Sequence, residues 1–236
     1  GRLAFSARPR AASPCSHSMS KAITCPLACT PASVRPAPQI VRPGQPIVYQ
    51  RHVFDGGSGH IPVAHHAMVH VPGGAALSFS PKEYGRTTNS PLESDSARGR
   101  SLLKYPQRIQ SLAKVALADG GSVDASTYPY AQRHEDFIAL VEQEGTRIGW
   151  SAALAAKDGF LFFAVKDAAA LPETLLWMSN GGRDYAPWSG RHTCVPGIEE
   201  AATSFHVNGE RAGGHDGRRA TGVSLGAGTK SIIRYA

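Results

Sequence analysis

The chain has 236 residues, a formal charge of +7 and 42% hydrophobic residues, enough for one large domain, since all-β domains run to roughly 200–250 residues without dividing. The charge is local: residues 1–45 hold six Lys/Arg and no Asp or Glu, which leaves 19 basic and 18 acidic residues from 46 to 236. A body so close to neutral gives no electrostatic case for nucleic acid or a membrane as partner, and no apolar run approaches the roughly 20 residues of a membrane span.

Residues 1–45 contain seven prolines, many Ala and Ser, and little sustained apolar periodicity. Such a head buries too little surface to offset its ordering entropy and is expected to be largely disordered. Its Arg- and Ser-rich, acid-free composition also fits a targeting peptide. The prolines count against that, because they interrupt an amphipathic helix. A third reading is a head that is not the native start of the domain. Cys15, Cys25 and Cys29 lie here and only Cys194 lies in the body, a usage that points to a reducing, cytoplasmic compartment without a disulfide framework. The Cys25-to-Cys29 spacing has no second ligand pair at a zinc-site distance.

From Pro46 the texture becomes strand-like. PIVYQRHVF (46–54), PVAHHAMVHV (62–71) and ALSFS (76–80) are separated by DGGSG and VPGG, and read as a meander of antiparallel strands. Residues 81–105 read as a long surface connection, and SLAKVALADGG (111–121) fits either a helical turn or a short strand. DFIALVE (136–142), RIGWSAALA (147–155), GFLFFAVK (159–166) and TLLWMS (174–179) follow, with turn residues between them. GERAGGHDGRRATG (209–222) is a loop before a last strand, KSIIRY (230–235). Short strands so punctuated predict an all-β sandwich or barrel over 46–236.

The candidate chemistry is concentrated in Thr174–Glu200, which holds two of the three tryptophans, Trp177 and Trp188, among loop-forming residues and charges. Flat aromatic faces beside charged groups on loops suit a cleft for a polar, ring-shaped ligand. On a strand, His65 shares the apolar face of Val63, Ala67, Val69 and Val71, which predicts a hydrogen-bonded core histidine, while His66 and His70 share the other face. Glu199 and Glu200 likewise diverge, so that one enters the cleft and the other is expected to be a solvated surface carboxylate. An imidazole facing a carboxylate suits the opening and reclosing of a hemiacetal, in which one proton leaves a hydroxyl and another reaches the ring oxygen without any cofactor. The tryptophans would stack on the sugar, with Arg183, Asp184 and Arg191 forking onto its hydroxyls and Asn180 and His70 as further binding groups. A metal held by His66, His70 and Glu199 or His192 is the weaker alternative, because the histidines stand in a β-branched alternating run rather than in a metal-binding His-x-His pair.

LPETLLWMSNGGRDYAPWSGRHTCVPGIEE, DGGSGHIPVAHHAMVHV and HEDFIALVE together resemble a branch of the aldose-1-epimerase (galactose mutarotase-like) superfamily, over roughly residues 46–205. The resemblance implies a large, twisted antiparallel β-sandwich with the sugar in an open cleft, His66 (or His65) as a catalytic histidine and Glu199 (or Glu200) as general base. It also implies an earlier His-Gly motif carrying another histidine. Nothing in residues 1–60 supplies that motif, since His17 precedes Ser and His52 precedes Val, and against the family two or more strands of the sandwich are expected to be missing at the N-terminal end or replaced by the head. The sequence therefore leads to a mutarotase-like isomerase, with a catalytically inactive carbohydrate-binding module as the alternative; the expected partner is a small sugar, with no cofactor and no metal. His134 is expected to be an ordinary surface or hydrogen-bonded histidine.

Overall fold

The computed structural model describes residues 33–35, 39–92, 100–203, 206–207, 210–211 and 219–236. Most of the head, and with it the expectation of disorder or targeting, lies outside the described residues. The described residues form strands and turns without a helix, so the all-β class follows directly. Two short strands within the stretch read as the head, Ser33–Arg35 and Ile40–Val41, pair with Val48–Asp55.

Two antiparallel sheets face each other. The first has eight strands among the described residues, in the order Ser33–Arg35, Val48–Asp55, Lys230–Tyr235, Phe160–Asp167, Ile148–Ala155, Ala75–Phe79 and Thr127–Tyr128, with Ile40–Val41 beside Val48–Asp55. The second has six: Val63–Met68, Gly197–Ala202, Glu173–Asn180, His134–Glu142, Lys82–Arg86 and Arg108–Ile109. Period-2 alternation sends Leu77 and Ala153 of the first sheet and Ile138, Leu140, Leu176, Met178 and Ile198 of the second into one core, which makes the pair a β-sandwich.

The strands expected from the sequence are present, but their partners are not sequential. Val48–Asp55, Val63–Met68 and Ala75–Phe79 do not form a meander: the first pairs with Lys230–Tyr235, the second with Gly197–Ala202 and the third with Ile148–Ala155. Alternation specifies which face of a strand is buried and says nothing about its neighbour. The expected surface connection over 81–105 contains the strand Lys82–Arg86, paired with His134–Glu142, with Tyr84 buried. Its charges hid it, and they are used: Arg86 Nη2 is 2.7 Å from Glu173 Oε1. In the 111–121 stretch, Val115–Ala116 is a short strand paired with Ser122–Val123.

Between the sheets lies a buried polar cluster. Lys166 of the first sheet is ion-paired with Glu200 and stands 3.1 Å from Glu142 Oε1, both on the second sheet. Ser151 and Thr174 donate to the Glu200 carboxylate at 2.6 and 2.8 Å, and Lys166 donates to the Glu173 carbonyl at 2.8 Å. Lys82 completes the set on Glu142, with burial first and Lys166 second pushing its pKa down to about 8. Two ammonium and two carboxylate groups balance in a largely buried space, the condition under which buried charges are tolerated. Removing one partner strands the others: Lys166→Ala is expected to lower the unfolding free energy in urea by roughly 3–5 kcal/mol. Lys166→Met with Glu200→Leu should lose much less, and an equal loss in both would show that packing rather than charge matching is responsible.

Candidate functional site

The register of three neighbouring strands builds the site. Val63–Met68 and Gly197–Ala202 pair with His66 opposite Glu199 and His65 opposite Glu200. Alternation then turns His66 and Glu199 outward together, with Nε2 of the imidazole 3.1 Å from Oε1 of the carboxylate. The side chain of His66 is 45% exposed and that of Glu199 11% exposed, so the pair is approached from the imidazole side. On the next strand Trp177 stands opposite Gly197. A Cβ at Gly197 would lie 3.1 Å from the Trp177 Cβ and 3.3 Å from the His66 Cε1, so a side chain there would crowd the histidine and the indole.

One strand further, Glu135 pairs with Ser179. Its buried carboxylate accepts the Trp177 Nε1–H and, at 2.6 Å, the Ser179 hydroxyl, which fixes the indole plane. The loop after Glu173–Asn180 is pressed onto this strand at Gly182, where a Cβ would fall 2.6 Å from the His134 carbonyl carbon. The loop carries Arg183, Trp188 and His192. His192 stacks on Trp177 at 4.8 Å with its Nδ1 2.8 Å from the Ser179 Oγ. Trp188, 38% exposed, stands at 85° to Trp177 with ring centroids 6.5 Å apart. The Arg183 guanidinium lies 5.0 Å from the Trp188 ring centroid, within the range of a cation–π contact. His66 meets Trp177 edge-on at 6.1 Å.

Burial pushes the Glu199 carboxyl up to about 7. Burial also holds His66 below its usual 6.5, and nearby His192 lowers it further. Burial lowers His192 too. Loss of solvent disfavours the charged form of each group. At neutral pH the Glu199 carboxyl is therefore near its half-protonated point beside a mostly neutral His66 imidazole.

Five of the residues singled out in the sequence come together here: His66, Glu199, Trp177, Trp188 and Arg183. The others are placed elsewhere. His65 faces inward, stacked on Tyr235 at 4.1 Å and 4.8 Å from His52, so its ring is held by ring contacts where a hydrogen bond was expected. Glu200, expected on the surface if Glu199 entered the cleft, is 1% exposed and bound to Lys166. His134 is fully buried against Tyr130, 4.1 Å away, with no hydrogen bond to either ring nitrogen. Asn180 uses its amide to tie down the loop, donating to the Ala131 carbonyl at 3.1 Å and accepting from Cys194 N at 3.0 Å. Asp184 bridges Arg100 and Arg133 at 2.7 and 2.6 Å, and those guanidiniums hold its carboxyl below the usual range. Arg191 folds back on the Pro187 carbonyl at 2.8 Å. His70 lies exposed beyond the end of its strand. Among the described residues no group of three His, Cys, Asp or Glu side chains is arranged to hold a metal ion.

Glu135 and Gly197 were not singled out in the sequence, and His192 was considered only as a metal ligand. The alternation of His134-Glu135-Asp136-Phe137 already puts Glu135 opposite in facing to Asp136. What the sequence lacks is the pairing of that strand with Glu173–Asn180, which alone brings Glu135 to the indole.

No protein-family model matches the chain, and no curated protein matches it at a significant level. Among solved structures it is similar to a galactose mutarotase related enzyme from Lactobacillus acidophilus, with 11% sequence identity and a TM-score of 0.44. The match covers 80% of this chain and 55% of that protein, so the chain spans about half the length of its structural neighbour. What the His66–Glu199 face of this chain can do follows from its own residues.

Two outcomes test this geometry. A carboxyl whose pKa is about 7 when folded and 4.5 ordinarily binds its proton more tightly in the native state, so its contribution to stability is complete below pH 4.5 and is lost as pH rises through 7. Glu199→Gln should therefore gain stability relative to the parent as pH is raised from 5 to 8, by on the order of 2 kcal/mol, in melts across that range. A constant difference would place Glu199 in solvent. Glu135→Ala should release the indole and shift the tryptophan emission to the red at a cost of about 1–3 kcal/mol for the unsatisfied donors; an unchanged spectrum would mean that the loop alone holds Trp177.

Proposed function

We propose that the chain is a carbohydrate-active protein of the mutarotase type, interconverting sugar anomers by general acid/base proton transfer. The observation that carries this reading is the 3.1 Å contact between His66 Nε2 and Glu199 Oε1 on an open face beside Trp177. The two oxygens that exchange protons in a hemiacetal, the anomeric hydroxyl and the ring oxygen, sit on one carbon. An acid and a base set close together can serve both, and a single proton shared by the pair leaves one group ready to donate and the other to accept. Once the shared proton has passed from Glu199 to His66 across their 3.1 Å contact, the Glu199 carboxylate takes the hydroxyl proton and the His66 imidazolium delivers its proton to the ring oxygen as the ring opens. Reclosure on the other face of the carbonyl runs the same transfers in reverse. Trp177 and Trp188 offer apolar faces to the C–H side of the sugar, and Arg183 supplies donors for a hydroxyl. His192 adds a second imidazole at the same indole.

The second reading is a sugar-binding module without turnover, in which Trp177 and Trp188 hold the sugar and the His66–Glu199 pair only hydrogen-bonds it. One experiment separates the two. Optical rotation and NMR anomer exchange of several free aldoses are followed with and without protein, alongside quenching of tryptophan emission. The acid/base reading expects faster exchange, lowered by about 10²-fold or more in Glu199→Gln. Quenching that saturates while exchange stays at the uncatalysed rate establishes the module. Activity should also fall as pH rises through about 7, where the pair loses its shared proton, and at low pH, where it takes up a second. A rate flat from pH 5 to 9 would assign the chemistry to other groups.

A further inference from the structure

None of His66, Glu199, Trp177, Trp188 or His192 lines a second hollow, a cavity of about 960 Å³ bounded by Val48–Asp55, Lys230–Tyr235, the turn after Glu142 and the segment after Asp167. Its size lies within the range of small-molecule sites. Arg42, Arg51, Arg147 and Arg234 reach it from three separate parts of the chain. Arg51 and Arg234 stand directly opposite each other on paired antiparallel strands, the arrangement in which like charges repel most strongly across a sheet. Among the described residues neither these two nor Arg147 has a carboxylate within ion-pair distance. Arg42 lies over the Tyr49 ring at 5.2 Å.

The acidic groups at the same wall offset only part of this charge, and none is within ion-pair distance of Arg51, Arg147 or Arg234. Glu142 is held by Lys82 and Lys166 on the inner side. Asp167 accepts the backbone N–H of Ala169 at 3.0 Å. Glu144 is partnered, though not by Arg51, Arg147 or Arg234. Arg219, also in the lining, reaches Glu83 and the Glu142 carbonyl. Two exposed guanidiniums set side by side, with a third and fourth exposed arginine brought to the same hollow, concentrate positive potential there. Guanidinium forks match the paired oxygens of phosphate and carboxylate.

We infer that this cavity is a binding site for a small organic anion of two or more negative charges, a phosphorylated or polycarboxylate compound, held by Arg51 and Arg234 with Arg147 and Arg42 at its margins. The site is separate from the His66–Glu199 cleft, so its ligand need not be the sugar that binds there.

The full chain is titrated with inorganic pyrophosphate and, separately, with citrate, by calorimetry and thermal melting at low and high sodium chloride. At least one probe is expected to bind saturably and raise the Tm, and its affinity should fall with salt because the contacts are ionic. The response to pyrophosphate alone or to citrate alone identifies phosphate or carboxylate as the recognised group. Arg51→Gln with Arg234→Gln should weaken binding at least tenfold, while its own melting temperature without anion stays equal or rises, since a cross-strand repulsion has been removed. If that variant does not fold, Arg147→Gln gives the smaller, several-fold weakening instead. His66→Ala should bind the anion as the parent does. No saturable binding of either probe to the parent protein, or equal affinity in the arginine variants, overturns the assignment.

Discussion

The ion pair between Lys166 and Glu200 is the constraint from which the outward site follows. Gly197–Ala202 is buried along its whole length, and burial by itself does not decide which of its two adjacent glutamates points inward. Lys166, on the opposite sheet and 2% exposed, decides it: a buried ammonium without a carboxylate is costly, and Glu200 meets it together with the Ser151 and Thr174 hydroxyls. Facing alternates along a strand, so Glu199 is thereby fixed on the other side, opposite His66. A slip of one residue would bring Glu199 to the lysine and take the carboxylate out of the cleft. The internal cluster thus sets the position of the external pair.

The same arrangement accounts for the unequal environments of the two glutamates. Glu200 has a cation and two hydroxyl donors. Glu199 has a neutral imidazole at 3.1 Å and little water, which is why burial raises its pKa to about 7. A carboxyl with that pKa holds or releases a proton near neutrality, a property that acid/base work requires and that an exposed surface glutamate lacks. Trp177 stands between the two halves of the site, edge-on to His66 and stacked on His192, and is itself held by Glu135. The rigidity of the indole comes from a side chain that never reaches the ligand face.

Lys166 and Glu142 also form part of the wall of the arginine-lined cavity. One buried cluster therefore backs both hollows, with Glu200 joining it to the strand of Glu199 and Glu142 to the turn beside Arg147.

Period-2 patterning was enough to place the long strands and to separate His66 from His65 and Glu199 from Glu200, because alternation is a local property of an extended backbone. Turn residues marked where strands end. Partnership was not legible: the order that puts Val63–Met68 beside Gly197–Ala202, and His134–Glu142 beside Glu173–Asn180, depends on contacts between residues far apart in the chain. For that reason the sequence does not bring Glu135 to the indole, shows nothing of the loop contacts that Asn180, Asp184 and Arg191 make, and presents the charged strand Lys82–Arg86 as a connection. The sequence by itself determined an all-β body and the facing of each histidine and glutamate on its own strand. Only the tertiary structure decided that the second glutamate, Glu200, is buried on an ion pair rather than solvated, since that depends on Lys166, a residue on the other sheet.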